Sequence, residues 1–150
     1  MIKITILVVL VLVALMGLVN ANSSSVVSLN PDNFSDVVNN KNIVLVKFFA
    51  PWCGHCKRLA PTYESLGDKY TDSQKYTIAE VNCESFATLC NEHDIRGYPT
   101  IRMFPKSSKT QDFQGSRTVE DLSAFVEKIF TMYTSKCNNN NNNNIINYQE

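Results

Sequence analysis

Two cysteines three positions apart lie where an apolar run gives way to a helical pattern. The run, Ile43 to Phe49, is interrupted only by Lys47 and is too short for a helix, so it predicts a strand covered on both faces of a sheet. From Cys53 onward, apolar residues recur at spacings of three and four, which is typical of an amphipathic helix. The pair Cys53 and Cys56 therefore falls at a strand-to-helix junction.

Three uses of such a pair compete: a metal clip, a structural disulfide and a redox centre. A zinc site usually needs four ligands, and Cys83, Cys90 and His93 do not form a second CxxC pair. A disulfide across so short a loop would restrict the unfolded chain little. A helix N-terminus, by contrast, stabilises a thiolate through its free N–H groups and its dipole. The position favours a redox centre, with Cys53 as the exposed, low-pKa nucleophile and Cys56 as the more buried resolving thiol.

The rest of the chain alternates between strand and helix patterns. Predicted strands cover residues 26–30, 43–49, 76–82 and 100–104, with a hairpin partner within 109–115, and predicted helices cover 31–39, 53–70, 84–92 and a last segment that opens after the N-cap Thr118. Strands and helices that alternate first, followed by a hairpin and a helix, predict an α/β fold with a mixed central β-sheet flanked by helices.

The first residues have the build of a secretory signal peptide. Lys3 precedes an almost wholly apolar stretch, Ile4 to Val19, which small residues follow, so we expect residues 1–21 to be removed. Export implies an oxidising compartment, where cysteine pairs persist as disulfides. The last residues, NYQE, are not a KDEL-type signal, so the endoplasmic reticulum lumen and secretion are both expected, without membrane contact after cleavage.

Composition limits the remaining choices. The formal net charge is +0, with 14 basic and 14 acidic residues, so no basic field is available to hold nucleic acid. Asn138 to Asn144 are all asparagine, which offers no apolar group to offset its ordering entropy. We therefore expect one domain over residues 22–135 and a disordered tail over 136–150. Of the five cysteines, Cys137 is the expected unpaired remainder.

The segment FFAPWCGHCKRLAPTYESL, followed downstream by IRGYPTIRMF, resembles the catalytic thioredoxin-fold module of the protein disulfide isomerase family. CxxC alone is weak evidence, whereas CGHC framed by Ala-Pro-Trp and followed by Gly-Tyr-Pro-Thr is specific. The resemblance covers residues 25–133 and implies a single catalytic, a-type module with a thioredoxin fold. It also implies a thiol–disulfide oxidoreductase that forms, reduces or isomerises disulfides in client proteins, without a metal or organic cofactor.

The same resemblance assigns roles to individual residues. Cys53 matches the attacking cysteine and Cys56 the resolving cysteine of a redox-active disulfide. Tyr98 and Pro99 match the cis-proline loop that binds an extended substrate segment, and Trp52 matches the tryptophan packed beside the site. These three residues are the expected substrate-binding residues.

Two further residues have both a functional and an ordinary interpretation. The imidazole of His55, between the cysteines, stabilises the Cys53 thiolate in the functional interpretation and is a solvated loop side chain in the other. Arg117 matches an arginine that the family is thought to swing toward the resolving cysteine, which lowers the pKa of that thiol. Its alternative is a surface arginine beside the last helix.

Lys47 departs from the family, which usually places a buried carboxylate at this position. A charged lysine in a covered strand is costly, so its head must reach solvent, pair with another charge or lose its proton. One interpretation sends the head to solvent through the end of the sheet. In the other, Lys47 is catalytic, either as a desolvated proton acceptor for Cys56 or as a cation that favours thiolates.

Two alternatives stay open elsewhere. Cys83 and Cys90 would lie about 10 Å apart within one helix, but a turn between them would allow a bond, so they are a structural disulfide, buried free thiols or a second redox pair. The expected partners are cysteine-containing clients and an upstream thiol oxidase or glutathione. The alternative function is a redox-inactive or weakly active, chaperone-like module that binds clients on the apolar rim near Trp52 and Tyr98.

Overall fold

The computed structural model describes residues 24–106 and 108–146, so the expected signal peptide lies outside the described residues. In chain order the elements are β1 (Val27–Leu29), α1 (Phe34–Asn40), β2 (Ile43–Phe49), α2 (Gly54–Tyr70), β3 (Tyr76–Asn82), α3 (Ala87–Glu92), β4 (Thr100–Pro105), β5 (Gln111–Asp112) and α4 (Val119–Ile146).

The strands form one five-stranded sheet in the order β1-β3-β2-β4-β5. β3 pairs in parallel with β1 and with β2, whereas β4 is antiparallel to both β2 and β5. The predicted mixed central sheet is thus confirmed. β2 lies in the middle and is buried from Ile43 to Phe48, because helices cover both faces of the sheet.

Side chains of β2 alternate between two hydrophobic clusters. Ile43 and Leu45 pack with residues of α2 and α4, including Leu66 and Leu122, on one face. Val44, Val46 and Phe48 pack on the other face with the α1 and α3 residues Phe34 and Leu89. Full burial of an aliphatic or aromatic side chain contributes about 1.5–3 kcal/mol to the stability of the fold. The packing of these side chains therefore holds β2 in place directly before the cysteine pair.

Two helices begin later than predicted, because asparagine side chains hold the preceding residues in turns. The side-chain oxygen of Asn30 accepts the N–H groups of Asp32 (2.9 Å) and Asn33 (3.1 Å), so α1 starts at Phe34 and not at Pro31.

The other late start follows the same chemistry. The side chain of Asn82 accepts the Glu84 N–H at 3.0 Å, and α3 starts at Ala87. In both cases the asparagine side chain offers the backbone an alternative to the first helical turn.

The last helix begins as predicted and extends further. The Thr118 hydroxyl accepts the Asp121 N–H at 3.1 Å as an N-cap, but α4 continues to Ile146, which corrects the expected disorder of residues 136–150 as far as Ile146. An existing helix adds residues without a new nucleus, so even poor helix formers can continue it. In the part of the chain that the structure describes, no helix, α4 included, has the length and apolar character to span a bilayer.

Candidate active site

Cys53 lies at the start of α2, directly after the central strand. β2 ends at Phe49, and a turn closed by a hydrogen bond from the Cys53 N–H to the Ala50 carbonyl oxygen (3.1 Å) leads into the helix. Cys53 is the N-cap residue, and the first turn of α2 contains no acidic side chain. Free helix N–H groups therefore lie beside the sulfur, and no carboxylate in that turn opposes a thiolate.

The two thiols have opposite pKa shifts. Hydrogen bonds from the Cys56 thiol and then from the Cys56 N–H lower the pKa of Cys53, and the His55 N–H and the charge of Arg58 lower it further. Burial, followed by the hydrogen bond to Cys53, raises the pKa of Cys56 to about 11. At neutral pH Cys53 is therefore the better nucleophile, and Cys56 must lose a proton before it can attack.

Both cysteines are covered. Cys53 is 8% exposed and Cys56 is 5% exposed, and with Ala50 they form a small cluster against Phe49 and Tyr98. The Cys53 thiol lies 3.5 Å from the Tyr98 carbonyl oxygen. The expectation that Cys53 is exposed is therefore wrong, because the loop before β4 folds over its sulfur.

That loop contains two of the three expected substrate-binding residues, Tyr98 and Pro99, and the third, Trp52, packs beside it. The Tyr98–Pro99 peptide bond is cis, and Pro99 is buried. The Tyr98 ring packs edge-on against Trp52 with centroids 6.1 Å apart, and Trp52 is 66% exposed. The fold thus brings an exposed aromatic surface to the rim of the sulfur site.

The His55 imidazole contacts an arginine. An N–H of the Arg58 guanidinium donates to His55 Nδ1 at 2.8 Å, so this nitrogen carries no proton and a proton on a neutral ring is on Nε2. It is the backbone N–H of His55 that lowers the pKa of Cys53. Sequence reasoning missed Arg58, although its spacing of three from His55 on a helix brings the two side chains together.

Arg117 lies beside the loop that contains Tyr98 and Pro99. Its guanidinium donates to the Pro99 carbonyl oxygen at 3.5 Å, and it lines a cavity together with His55, Arg58 and Leu59. The cation that lowers the pKa of Cys56 is Lys47.

Lys47 is buried, 3% exposed, and its ammonium lies 2.6 Å from a carboxylate oxygen of Glu80. The Nζ atom also lies 4.6 Å from the Tyr63 ring centroid and 5.0 Å from that of Phe49. The head group therefore ends in an ion pair and does not reach solvent through the sheet end. Lys47, Glu80 and Cys56 line one cavity, so the pair lies beside the resolving thiol.

Sequence reasoning also missed Glu80. Lys47 on β2 and Glu80 on β3 are direct partners in the parallel register. The available signal was one charge in each of two neighbouring apolar strands, since a buried charge needs a partner. The signal could be used only with the strand register known.

Cys83 and Cys90 are bonded to each other, with Cα atoms 5.7 Å apart. They are 3% and 1% exposed and belong to the cluster on the α1 and α3 face. Their burial leaves no access for a substrate thiol, so the bond is structural. Among the described residues, no group of three or more His, Cys, Asp or Glu side chains is placed to hold a metal ion.

Comparisons with known proteins agree with this geometry. A family model described as Thioredoxin matches residues 25–128. The chain is 43% identical over 127 residues to protein disulfide-isomerase 1 of Dictyostelium discoideum, covering 83% of this chain and 35% of the relative. It is 42% identical over 109 residues to a probable protein disulfide-isomerase A6 of Medicago sativa, covering 72% and 30%. The chain thus spans about a third of the length of these curated relatives.

A solved structure is similar over most of its own length. The first thioredoxin domain of mouse protein disulfide-isomerase A4 superposes with a TM-score of 0.65 at 38% sequence identity, covering 72% of this chain and 77% of that one. The thioredoxin fold that the sequence predicted is therefore confirmed.

Proposed function

Because the chain belongs to the thioredoxin family, in its protein disulfide isomerase branch, we propose that it is a thiol–disulfide oxidoreductase that forms, reduces or isomerises disulfides in client proteins of the secretory pathway. The observation that carries the proposal is the placement of two adjacent thiols, since Cys53 is the N-cap residue of α2 and Cys56 is buried in its first turn. Cys53 at a helix N-terminus has a lowered pKa, and Cys56 behind it has a raised one.

The chemistry runs in both directions through the same intermediate. In reduction, the Cys53 thiolate attacks a client disulfide, a Cys53–client bond forms, and the other client sulfur leaves as a thiolate. Cys56 then loses its proton and attacks Cys53, which releases the second client thiolate and leaves the oxidised pair. Oxidation of a client is the reverse, with two electrons passing to the Cys53–Cys56 disulfide.

Lys47 assists the second step as a cation. The Lys47 ammonium is paired with Glu80, and its charge lowers the pKa of Cys56 against the larger effect of burial. This supports the cationic interpretation of Lys47 over the neutral proton acceptor, since a neutral amine would leave the Glu80 carboxylate without its partner.

The loop of Tyr98 and Pro99 and the exposed ring of Trp52 would control access to the sulfurs and contact the substrate. Tyr98 and Pro99 would align an extended client segment beside Cys53, and Trp52 would cover its apolar side chains. The proposed partners are cysteine-containing clients and an upstream thiol oxidase or glutathione. We propose that residues 1–21 are removed as a signal peptide and that the domain starts at residue 22. The proposed location is then the endoplasmic reticulum lumen or the secreted fraction.

The test is oxidative refolding of a scrambled disulfide substrate. The wild-type chain should restore the substrate's activity, and Cys56→Ala should accumulate mixed disulfides that migrate as adducts without reducing agent. Lys41→Gln, an exposed substitution at the far end of β2, serves as the control and should behave as wild type. A wild-type chain that neither reshuffles the substrate nor forms adducts overturns the proposal.

The exposure of Trp52 favours a second candidate, a client-binding module that needs no redox chemistry. In that case a Cys53→Ala, Cys56→Ala double variant still suppresses aggregation of an unfolded client, and Trp52→Ala abolishes the effect. If the double variant is inactive in this assay, the redox function alone remains.

A further inference from the structure

A cavity beside the cysteine pair is lined by cationic groups. Its lining residues are His55, Arg58, Leu59 and Arg117. Among the described residues, ion pairs within 4.0 Å occupy other arginines, Arg96 and Arg102, but neither arginine of the cavity. Two guanidinium charges are thus left without a carboxylate next to the proposed nucleophile.

The two guanidinium groups reach the site from different elements. Arg58 lies over the start of α2, since its Nη1 atom would be 3.6 Å from a Cβ placed on Gly54, the residue after Cys53. Arg117 comes from the segment before α4 and contacts the Pro99 carbonyl oxygen. One charge therefore lies on the helix side of the cavity and one on the side of the substrate loop.

Each guanidinium has donors left over. Arg58 uses one N–H group on His55, and Arg117 uses one on the Pro99 carbonyl oxygen, whereas each guanidinium carries five. The planar fork of guanidinium N–H groups pairs with both oxygens of a carboxylate, and no other common side-chain group fits this fork as well. The unused capacity fits a carboxylate supplied from outside the chain.

We propose that Arg58 and Arg117 form a subsite for a carboxylate located next to the reacting disulfide of the substrate. The carboxylate comes from an acidic side chain beside a client cysteine or from a small acidic thiol such as glutathione. The inference rests on the proposed function: the Cys53 thiolate attacks the substrate sulfur, the Cys53–substrate bond forms, and the departing sulfur takes the electron pair. The bound carboxylate orders the substrate during that attack.

The charge of Arg58 also lowers the pKa of Cys53, so a rate measured on one substrate would mix two effects. A ratio of rates on two substrates removes the thiolate fraction, because the same enzyme attacks both. The first pair of probes is therefore two disulfide-bonded peptides that differ only in Glu or Gln next to the reacting cysteine.

The measurement is the second-order rate constant for reduction of each peptide by the dithiol form of the wild type, Arg58→Gln and Lys41→Gln, in which the Cys53–Cys56 pair supplies the two electrons. An exposed charge pair predicts a Glu-to-Gln ratio of roughly two to five for the wild type. The ratio should fall toward one in Arg58→Gln, where only Arg117 remains to bind the carboxylate. It should stay at its wild-type value in Lys41→Gln, which removes the same charge at a distant, exposed position. It should also shrink as salt is raised, because the groups are exposed.

A second pair of probes separates the two sources. Glutathione disulfide is compared with its carboxyl esters on the same three proteins. If the Glu-to-Gln peptide ratio depends on Arg58, the carboxylate comes from the client. If only the ratio of glutathione disulfide to its esters depends on Arg58, the carboxylate comes from the small acidic thiol. A wild-type ratio of one for both pairs, or a ratio that survives in Arg58→Gln, overturns the subsite. Failure of all four substrates to react with the wild type would instead overturn the proposed redox function.

Discussion

The difference between Cys53 and Cys56 arises within one helical turn. Cys53 receives hydrogen bonds from Cys56 and from the His55 N–H, so its thiolate is stabilised, whereas burial dominates at Cys56. The two residues have similar exposure, 8% and 5%, so solvent access alone does not separate their roles. Hydrogen-bond donors determine the direction of the pKa shift at Cys53, whereas burial determines it at Cys56.

This asymmetry predicts the pH dependence of alkylation. A lowered pKa means that Cys53 becomes a thiolate at lower pH than a free cysteine, so its reaction with iodoacetamide should reach half its maximal rate below pH 9.0. Cys56 should react only as the pH approaches about 11. Mass spectrometry of the modified residues, with Arg58→Gln expected to move the Cys53 midpoint upward, provides the measurement. A Cys53 midpoint at or above 9.0 would contradict the assignment.

The ion pair of Lys47 and Glu80 predicts that a variant with the two charges exchanged keeps most of its stability. Breaking a buried ion pair leaves one charge uncompensated, which costs about 3–5 kcal/mol, and Glu80 is partly exposed, so we expect the low end, roughly 3 kcal/mol, for Lys47→Glu. The double variant Lys47→Glu, Glu80→Lys should recover most of this loss. Urea unfolding of both single variants and the double variant completes the cycle. Additive losses would show that the two charges do not interact.

At the scale of elements, close packing between α2 and the chain before β1 predicts the effect of a glycine substitution. A Cβ on Gly67 would lie 2.8 Å from a methyl carbon of Val26 and 3.1 Å from the backbone of Ser25. Gly67→Ala should therefore destabilise the fold by about 1–3 kcal/mol, although alanine is the better helix former.

The matched control for this substitution is Gly54→Ala in the first turn of the same helix. Its added Cβ meets only the flexible end of Arg58, at 3.6 Å. Urea unfolding should show Gly54→Ala to be neutral or slightly stabilising. If both variants gain stability equally, the contact with Val26 and Ser25 carries no cost.

The same scale shows what the sequence could predict. β2 and β3 were predictable to the residue, because β2 is a short apolar run interrupted only by Lys47, and β3 is a short stretch rich in aromatic and β-branched residues. The starts of α1 and α3 were not, because Asn30 and Asn82 form side-chain turns that compete with the first helical turn. Periodicity detects a helix but does not detect a local hydrogen bond that delays it.

At the scale of the whole molecule, the residues that the sequence missed are those whose partners lie on another element or another turn. Glu80 acquires its role only through the pairing of β2 with β3, and Arg58 only through the cavity that it shares with Arg117. The four residues of CGHC are consecutive in the sequence, so the motif could be recognised without knowledge of the fold. The environment of that motif depends on topology and register.

The predicted domain limit at residue 135 leads to a prediction about the stability of truncated chains. The buried residues of α4, Leu122, Val126 and Ile129, precede it. A chain that ends after Ser135 should therefore unfold at nearly the same urea concentration as the full chain. A chain that ends after Glu127 loses Ile129 and should unfold at a clearly lower concentration. A large loss on truncation after Ser135 would place the domain limit further along α4.

The cover over Cys53 also limits which disulfides its sulfur can reach. Bond formation brings two sulfur atoms to about 2.05 Å, yet the Tyr98 loop leaves Cys53 only 8% exposed. A cysteine held in a packed domain cannot project its sulfur to that depth, whereas one on a loose, extended stretch can. We therefore expect the chain to act on disulfides in extended, unfolded polypeptides and in small molecules such as glutathione disulfide, and to leave those inside packed domains unchanged.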